Sequence, residues 1–147
     1  CLSSAKTPRE SRRFARSAIN KVILPNWHGL AYNVAMSENL TENRIVQFVS
    51  SCLKGGRVLW TYHVNMRLKD RYIPRAWILK SADEIEVVEI YSDDRHLPSC
   101  LLLGNHRGSP FHFVAAMDFA EDFVTIVTAY RPDPSRWESN WRTRRNT

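Results

Sequence analysis

The feature that most constrains the fold of this chain is a change of hydrophobic period near residue 85. Beyond it, apolar, β-branched and aromatic residues form four short runs, at residues 85–91, 97–103, 110–117 and 123–130. Short segments rich in Asp, Asn, Gly and Pro separate these runs. Such short connections favour antiparallel neighbours, because parallel strands need a long crossover. The sequence therefore predicts a meander of about four antiparallel strands.

Helical spacing dominates before residue 85. Residues 7–10 (TPRE) have the pattern of a helix N-cap, and the apolar stripe behind them ends at Pro25. This pattern predicts an amphipathic helix that docks on the domain or on a partner. Thr41 is the expected cap of a second helix, which Gly55-Gly56 would end. The expected inward face of this second helix carries Ile45, Val49, Cys52 and Leu53.

The stretch between the second helix and the meander is mixed. Residues 57–60 fit a short strand or an extended entry, and residues 61–70 fit a helix. Ile73-Pro74 is expected to start another short helix, with Trp77 and Ile78 turned inward. Helices followed by a meander indicate the α+β class, with N-terminal helices packed on one face of a small antiparallel sheet. The expected organisation is an amphipathic helix and connector over residues 1–40, one α+β domain over 41–140 and a basic tail over 141–147.

Composition narrows the possible functions. The 147 residues suit one domain, and 21 Lys and Arg against 15 Asp and Glu give a net charge of +6, which favours polyanionic partners. The sequence has no apolar run long enough to span a bilayer, and its three cysteines are far apart. A cytoplasmic location without membrane contact is expected. The sequence contains no metal-ligand spacing, P-loop or GxGxxG motif, so neither a metal nor a cofactor is expected.

One set of residues has spacing suited to phosphodiester chemistry. His63, Arg67 and Arg71 would share one face if residues 61–71 are helical. The guanidinium groups could bind phosphate oxygens, and the imidazole could transfer a proton near neutral pH. Asp70 would lie on the same face and could pair with Arg67. A solvated, ion-paired helix face is therefore the alternative interpretation, and on spacing alone it is the commoner arrangement.

Further candidates lie on the expected strands and beyond them. Alternation places His112 on the strand face opposite to Phe111 and Phe113, either lining a groove or as a hydrogen-bonded structural histidine. Tyr130 ends the last run and either contacts a substrate or caps the core. Arg131 begins a basic segment that contains Trp137 and Trp141, which suits phosphate contact with base stacking. For Arg144 and Arg145 a disordered, solubilising tail is the preferred interpretation.

These residues, taken in order, resemble a known family. The pattern runs His63-x3-Arg67-x3-Arg71-x-Ile73, then Pro98 and 101–104 (LLLG), His112, 128–130 (TAY) with Pro132, and Trp137. It is similar to the bacterial DUF4258 family, which is grouped with small toxin folds of the RelE, ParE and barnase-like kind. The resemblance covers residues 42–140 and leaves the first 40 or so residues without a counterpart.

The resemblance implies helices on one face of a small antiparallel sheet and a metal-independent ribonuclease activity. In such enzymes the ribose 2′-hydroxyl attacks the neighbouring phosphate. Carried onto this chain, it makes His63 and His112 candidates for proton transfer and Tyr130 a candidate for proton transfer or positioning. Arg67 and Arg71 become candidate phosphate clamps, and for phosphate binding we add Arg131, from the basic segment.

The expected function is therefore a toxin-type endoribonuclease. Its expected partners are RNA, free or on the ribosome, and an antitoxin protein. The alternative is a non-catalytic module that binds nucleic acid or protein through the same basic face.

Overall fold

The computed structural model describes residues 31, 33, 39–62, 73–92 and 97–146. Helix α1, Glu42–Gly55, begins where the sequence predicts, because the Thr41 hydroxyl accepts a hydrogen bond of 3.3 Å from the Arg44 backbone N–H. It ends at Gly56, whose φ of 71° is the left-handed conformation that glycine adopts without strain. The four expected inward residues are all buried, so this prediction is confirmed.

A second, shorter helix follows Pro74. Helix α2, Arg75–Lys80, continues into a 3-10 turn, Ser81–Asp83. Ile78 is buried as expected, whereas Trp77 is half-buried and reaches the surface. The expected helices over residues 7–25 and 61–70 fall mainly outside the described residues.

The sheet has five strands. They are β1 (Val58–Trp60), β2 (Glu86–Tyr91), β3 (Ser99–His106), β4 (Ser109–Asp118) and β5 (Phe123–Tyr130). Their spatial order is β1-β5-β4-β3-β2. Strands β2 to β5 form the predicted antiparallel meander. Strand β1 pairs in parallel with β5, so the sheet is mixed and the expectation of about four antiparallel strands needs correction.

Both faces of the sheet carry apolar side chains. The first face packs on α1 and α2 through residues that include Leu102, Phe111 and Phe113. The second face carries Leu101, Val114 and Val127, and Trp137 packs on it. Trp137 belongs to residues 133–146, which we call the C-terminal strap. Helices thus lie on one face, as predicted, and the strap covers part of the other.

The strap is held in place by specific contacts. Trp137 and Arg144 form an isolated β-bridge, and Arg145 Nε donates hydrogen bonds to the carbonyls of Pro134 and Trp137. Arg142 pairs with Glu86 at 3.1 Å. The preferred interpretation of Arg144 and Arg145 as a disordered tail is therefore wrong, because both side chains have fixed partners.

No helix within the described residues is long and apolar enough to cross a membrane.

Candidate functional site

The structure brings two of the predicted site residues together and leaves three undescribed. His63, Arg67 and Arg71 lie outside the described residues. His112 on β4 and Tyr130 on β5 are direct cross-strand neighbours, and both are buried. Arg131 follows Tyr130, but its side chain is exposed and contacts a different part of the molecule.

A strand irregularity sets the pairing of His112 with Tyr130. The β4–β5 register shifts by one residue between Val114 and Ala115. Without this bulge, Ala129 would stand opposite His112. Directly opposed residues share a face of the sheet, so the bulge brings the Tyr130 phenol onto the His112 side. Strand alternation alone does not reveal such a shift.

Both ring nitrogens of His112 have partners. Nε2 lies 2.7 Å from the carbonyl oxygen of Trp141 in the strap. A carbonyl can only accept, so Nε2 carries the proton in the neutral ring. Nδ1 is then the acceptor, and the Tyr130 hydroxyl, 3.4 Å away, is its donor. The imidazole also packs edge-on against Trp137, with ring centroids 4.6 Å apart.

The neutral form of His112 is strongly favoured. Burial lowers the pKa of His112 from 6.5 to about 4, and the nearby Arg144 cation acts in the same direction. The hydrogen bond to the Trp141 carbonyl and the Glu89 carboxylate partly oppose this shift in the pKa. At neutral pH the ring therefore links the sheet to the strap as an uncharged donor and acceptor.

A second polar group joins the strap to β2. Arg144 Nε donates to Glu89 at 2.8 Å, and the Tyr91 hydroxyl donates to the other Glu89 carboxylate oxygen at 2.7 Å. The Arg144 guanidinium also lies 4.2 Å from the centroid of the Trp137 ring. Burial, reinforced by the Glu89 charge, raises the pKa of Tyr91. The phenol therefore remains a donor at neutral pH.

Glu89 and Tyr91 are not among the candidates expected from the sequence, because strand alternation misplaces them. Strict alternation puts Val87, Glu89 and Tyr91 on one face. The β2–β3 register shifts between Val87 and Glu89, so Val87 joins the core under the helices and Tyr91 the core under the strap. The adjacent valines, Val87-Val88, are the only trace of this bulge in the sequence.

The polar groups of His112, Tyr130, Glu89, Tyr91 and Arg144 therefore form a largely buried cluster, in which most hydrogen bonds are made within the cluster or to the strap backbone. His112 and Tyr130 have no exposed surface in this arrangement. A substrate could contact them only after displacement of the strap. The geometry thus agrees with the interpretation of His112 as a hydrogen-bonded structural histidine, and a proton-transfer role requires strap movement.

Basic and aromatic side chains that are exposed or half-buried lie elsewhere, at one end of the sheet and along α2 as far as Trp60. The Arg131 guanidinium lies 5.5 Å from the Trp77 ring centroid, and the His106 imidazole stacks on Trp77 at 4.8 Å and 25°. Arg75 lies 4.9 Å from the centroid of the Trp60 ring. We call this surface the basic–aromatic end; it comprises Trp60, Arg75, Trp77, His106, Arg107 and Arg131.

Helix α2 and the sheet topology together set this arrangement. Helix α2 carries both Arg75, which lies over the Trp60 ring, and Trp77, which contacts Arg131. Strand β1 runs parallel to β5 but stops at Trp60, opposite Ile126 in the middle of β5, short of the end of the sheet where Arg131 follows β5. The β3–β4 hairpin turns at that end, because His106 pairs with Ser109. Arg131 was expected from the sequence as a phosphate contact, but its neighbours Trp77 and His106 come from α2 and β3, and only the tertiary packing of these elements brings them together.

The described residues give no sign of metal or thiol chemistry. No group of three or more His, Cys, Asp or Glu side chains within the described ranges could hold a metal ion. Cys52 and Cys100 are buried and unpaired, and burial raises the pKa of each thiol.

The fold and the site define a small α+β domain with a mixed five-stranded sheet. Helices pack on one face of the sheet, and a C-terminal strap covers a buried histidine on the other face. Residues 60–131 match the family model described as "Domain of unknown function (DUF4258)", which supports the family resemblance of the sequence. Neither the curated proteins nor the solved structures contain a match to the chain.

Proposed function

We propose that the protein is a toxin-type, metal-independent endoribonuclease that acts on RNA. One observation carries the proposal: the exposed basic–aromatic end lies where the chain leads into the segment with the candidate motif. Thr61, directly after β1, donates from its backbone N–H to Ile126 and from its hydroxyl to Val127 of β5. His63 follows Thr61 by two positions in the sequence.

The residue types suit cleavage by an internal nucleophile. The ribose 2′-oxygen attacks the adjacent phosphorus while a base removes the 2′-hydroxyl proton, and the 5′-oxygen leaves with a proton from an acid. His63 is the proposed proton-transfer residue, because an unperturbed imidazole exchanges protons near neutral pH. Arg67 and Arg71 are the proposed clamps on the phosphate oxygens, where they stabilise the charge of the transition state.

The remaining candidates have distinct proposed roles. Arg131, exposed at the basic–aromatic end, supplies a further phosphate contact. His112 and Tyr130 are buried beneath the strap, so we assign them to cleavage only in a state in which the strap is displaced. The proposed location is the cytoplasm, and the proposed partners are RNA, free or ribosome-bound, and an antitoxin protein. The grouping with RelE, ParE and barnase-like toxins belongs to the same proposal.

Incubation of the purified protein with labelled total RNA, in EDTA and with or without ribosomes, tests the activity. We expect cleavage that His63→Ala and Arg67→Ala abolish. Lys54→Gln is the matched control, since it removes one positive charge, as Arg67→Ala does. Lys54 is not part of the candidate site; it lies at the end of α1, where it pairs with Asp83. Intact RNA under both conditions would refute the ribonuclease.

The burial of His112 and Tyr130 favours one alternative, a non-catalytic nucleic-acid-binding module. In that case RNA binding would weaken steeply with salt, because phosphate contacts release counterions. His63→Ala would then leave binding unchanged, and no product would form in any variant.

A further inference from the structure

We propose that the basic–aromatic end is a binding surface for single-stranded RNA, on which bases stack on Trp77 and Trp60 while Arg131 and Arg107 bind phosphates. This inference rests on the proposed function for the identity of the ligand, RNA. Binding at this surface does not require that the RNA be cleaved.

Trp77 has the placement of a stacking platform. Its ring contacts Phe111 of the core at 6.4 Å, which anchors it, and the side chain remains only half-buried. His106 stacks on one face of the ring in the near-parallel geometry that a base would adopt, so a base binds there by replacing the imidazole. Aromatic side chains on a basic surface bind single-stranded nucleic acid in this manner, because every base offers a flat π-face.

Arg131 is placed to bind a phosphate beside that platform. Its side chain is exposed, and no carboxylate in the described part of the chain pairs with it. Its guanidinium carbon lies 5.5 Å from the centroid of the Trp77 ring, and a guanidinium in a cation–π contact keeps its N–H groups as donors. These donors match phosphate oxygens in pairs, and the ring limits the rotamers that binding has to order.

A second ring and a second cation extend the surface. Arg75 over Trp60 repeats the pairing of guanidinium and indole on the other side of β5. Arg107, at the tip of the β3–β4 hairpin, is exposed next to His106. Tyr62, two residues beyond Trp60, is 80% exposed. Two pairs of guanidinium and indole, Arg131 with Trp77 and Arg75 with Trp60, thus form the surface.

Acidic residues limit the path of a polyanion. Asp83, Glu84 and Glu86 line a shallow cavity beside β2. The strap arginines Arg142 and Arg144 pair with Glu86 and Glu89, so their charges are already compensated. The carboxylates beside β2 therefore border the surface on one side, and a polyanion would follow the side of β5 and α2 instead.

The arrangement favours single strands over duplexes. In a duplex the faces of the bases are stacked on one another, so Trp77 and Trp60 would have nothing to stack on. Only the phosphate contacts would remain.

The test uses the full chain and a labelled single-stranded RNA whose 2′-hydroxyls are methylated, so that no cleavage can occur. We expect Arg131→Gln to weaken binding and to reduce the slope of log K against log salt by about one, as loss of one phosphate contact does. Trp77→Leu should weaken binding by about fivefold or more with the slope unchanged, and Trp77→Phe should retain most of the affinity.

Lys54→Gln also removes one positive charge, but at the end of α1, before β1 begins. This variant should bind the RNA nearly as tightly as the wild type does. Circular dichroism of each variant identifies any loss of fold, and Arg131→Gln, on an exposed side chain, keeps the test decisive if Trp77→Leu unfolds. Equal affinities for Arg131→Gln, Lys54→Gln and wild type would overturn the inference, as would tighter binding of duplex RNA. Site-dependent binding without any cleavage of ordinary RNA would support this surface and refute the ribonuclease.

Discussion

His112 couples the stability of the protein to pH. Its folded-state pKa of about 4 lies below the ordinary value of 6.5, so between these values the unfolded chain binds a proton that the folded protein does not. The stabilisation is complete above about pH 6.5 and is lost as the pH falls towards 4. The shift corresponds to about 3 kcal/mol.

Urea unfolding of the wild type and of His112→Gln, at several values between about pH 7 and pH 4.5, measures this contribution. The glutamine amide can still donate to the Trp141 carbonyl but does not titrate. We expect the wild type to lose stability more steeply than the variant as the pH decreases. Parallel curves for the two proteins would show that His112 does not titrate in this range.

Arg107 occupies a backbone conformation that arginine disfavours. Its φ is 51° and that of Gly108 is 80°, between the paired residues His106 and Ser109, as in a two-residue type I′ turn. Asn tolerates this conformation better than arginine. We expect Arg107→Asn to raise the free energy of unfolding by about 0.5–1 kcal/mol. The same variant should bind single-stranded RNA more weakly, so chemical unfolding and RNA titration should move in opposite directions.

Individual elements differ in how far the sequence predicts them. Helix α1 and the four meander strands follow from local signals, namely a cap, a terminating glycine pair and period-two runs bounded by turns. Strand β1 has only three residues and pairs with β5, which lies more than sixty positions further along the chain. A sequence pattern carries no information about such a long-range parallel pairing.

The candidate site also combines features that local sequence signals predict with contacts that depend on long-range pairing. His112 and Tyr130 were identified from the sequence, but their contact depends on a bulge in β4–β5. Glu89 and Tyr91 were missed because another bulge reverses their face. Trp77 and Arg131 meet only through the packing of α2 against the sheet. Alternation along single strands could not predict these neighbours, because neighbours are set by register and topology.

Gly104 on β3 provides a test of packing between elements. A Cβ at this position would lie 2.5 Å from Phe111 Cζ and 3.1 Å from Ser81 Oγ. The Phe111 ring is fully buried and has little room to move. We expect Gly104→Ala to destabilise the protein by about 1–3 kcal/mol, as overpacking does. In a double-mutant cycle, Phe111→Leu should reduce this cost, and additive effects would contradict the proposed clash.

At the scale of the whole molecule, the sheet has two apolar faces, and the strap shields part of the face that the helices leave uncovered. The helices cover the first face, and Trp137 with Trp141 covers part of the second. Of the strap's arginines, Arg142 and Arg144 pair with β2 carboxylates, so part of the net charge of +6 serves to fix this cover. Among the described residues, Arg107 and Arg131 are exposed and lie outside these pairs.

Truncation of the strap tests this view of the molecule. A chain that ends at Ser135 loses both strap tryptophans and exposes Leu101, Val114 and Val127 on the second face. Removal of a buried Trp side chain alone costs about 3–5 kcal/mol, so we expect at least that loss in the free energy of unfolding. A dye that binds apolar surface should bind to the truncated chain.

Deletion of residues 146–147 alone, which lie beyond the hydrogen bonds of Arg145, is the matched control and should have little effect. Equal unfolding free energies for the two truncated chains would mean that residues 136–145 contribute nothing to the stability of the fold.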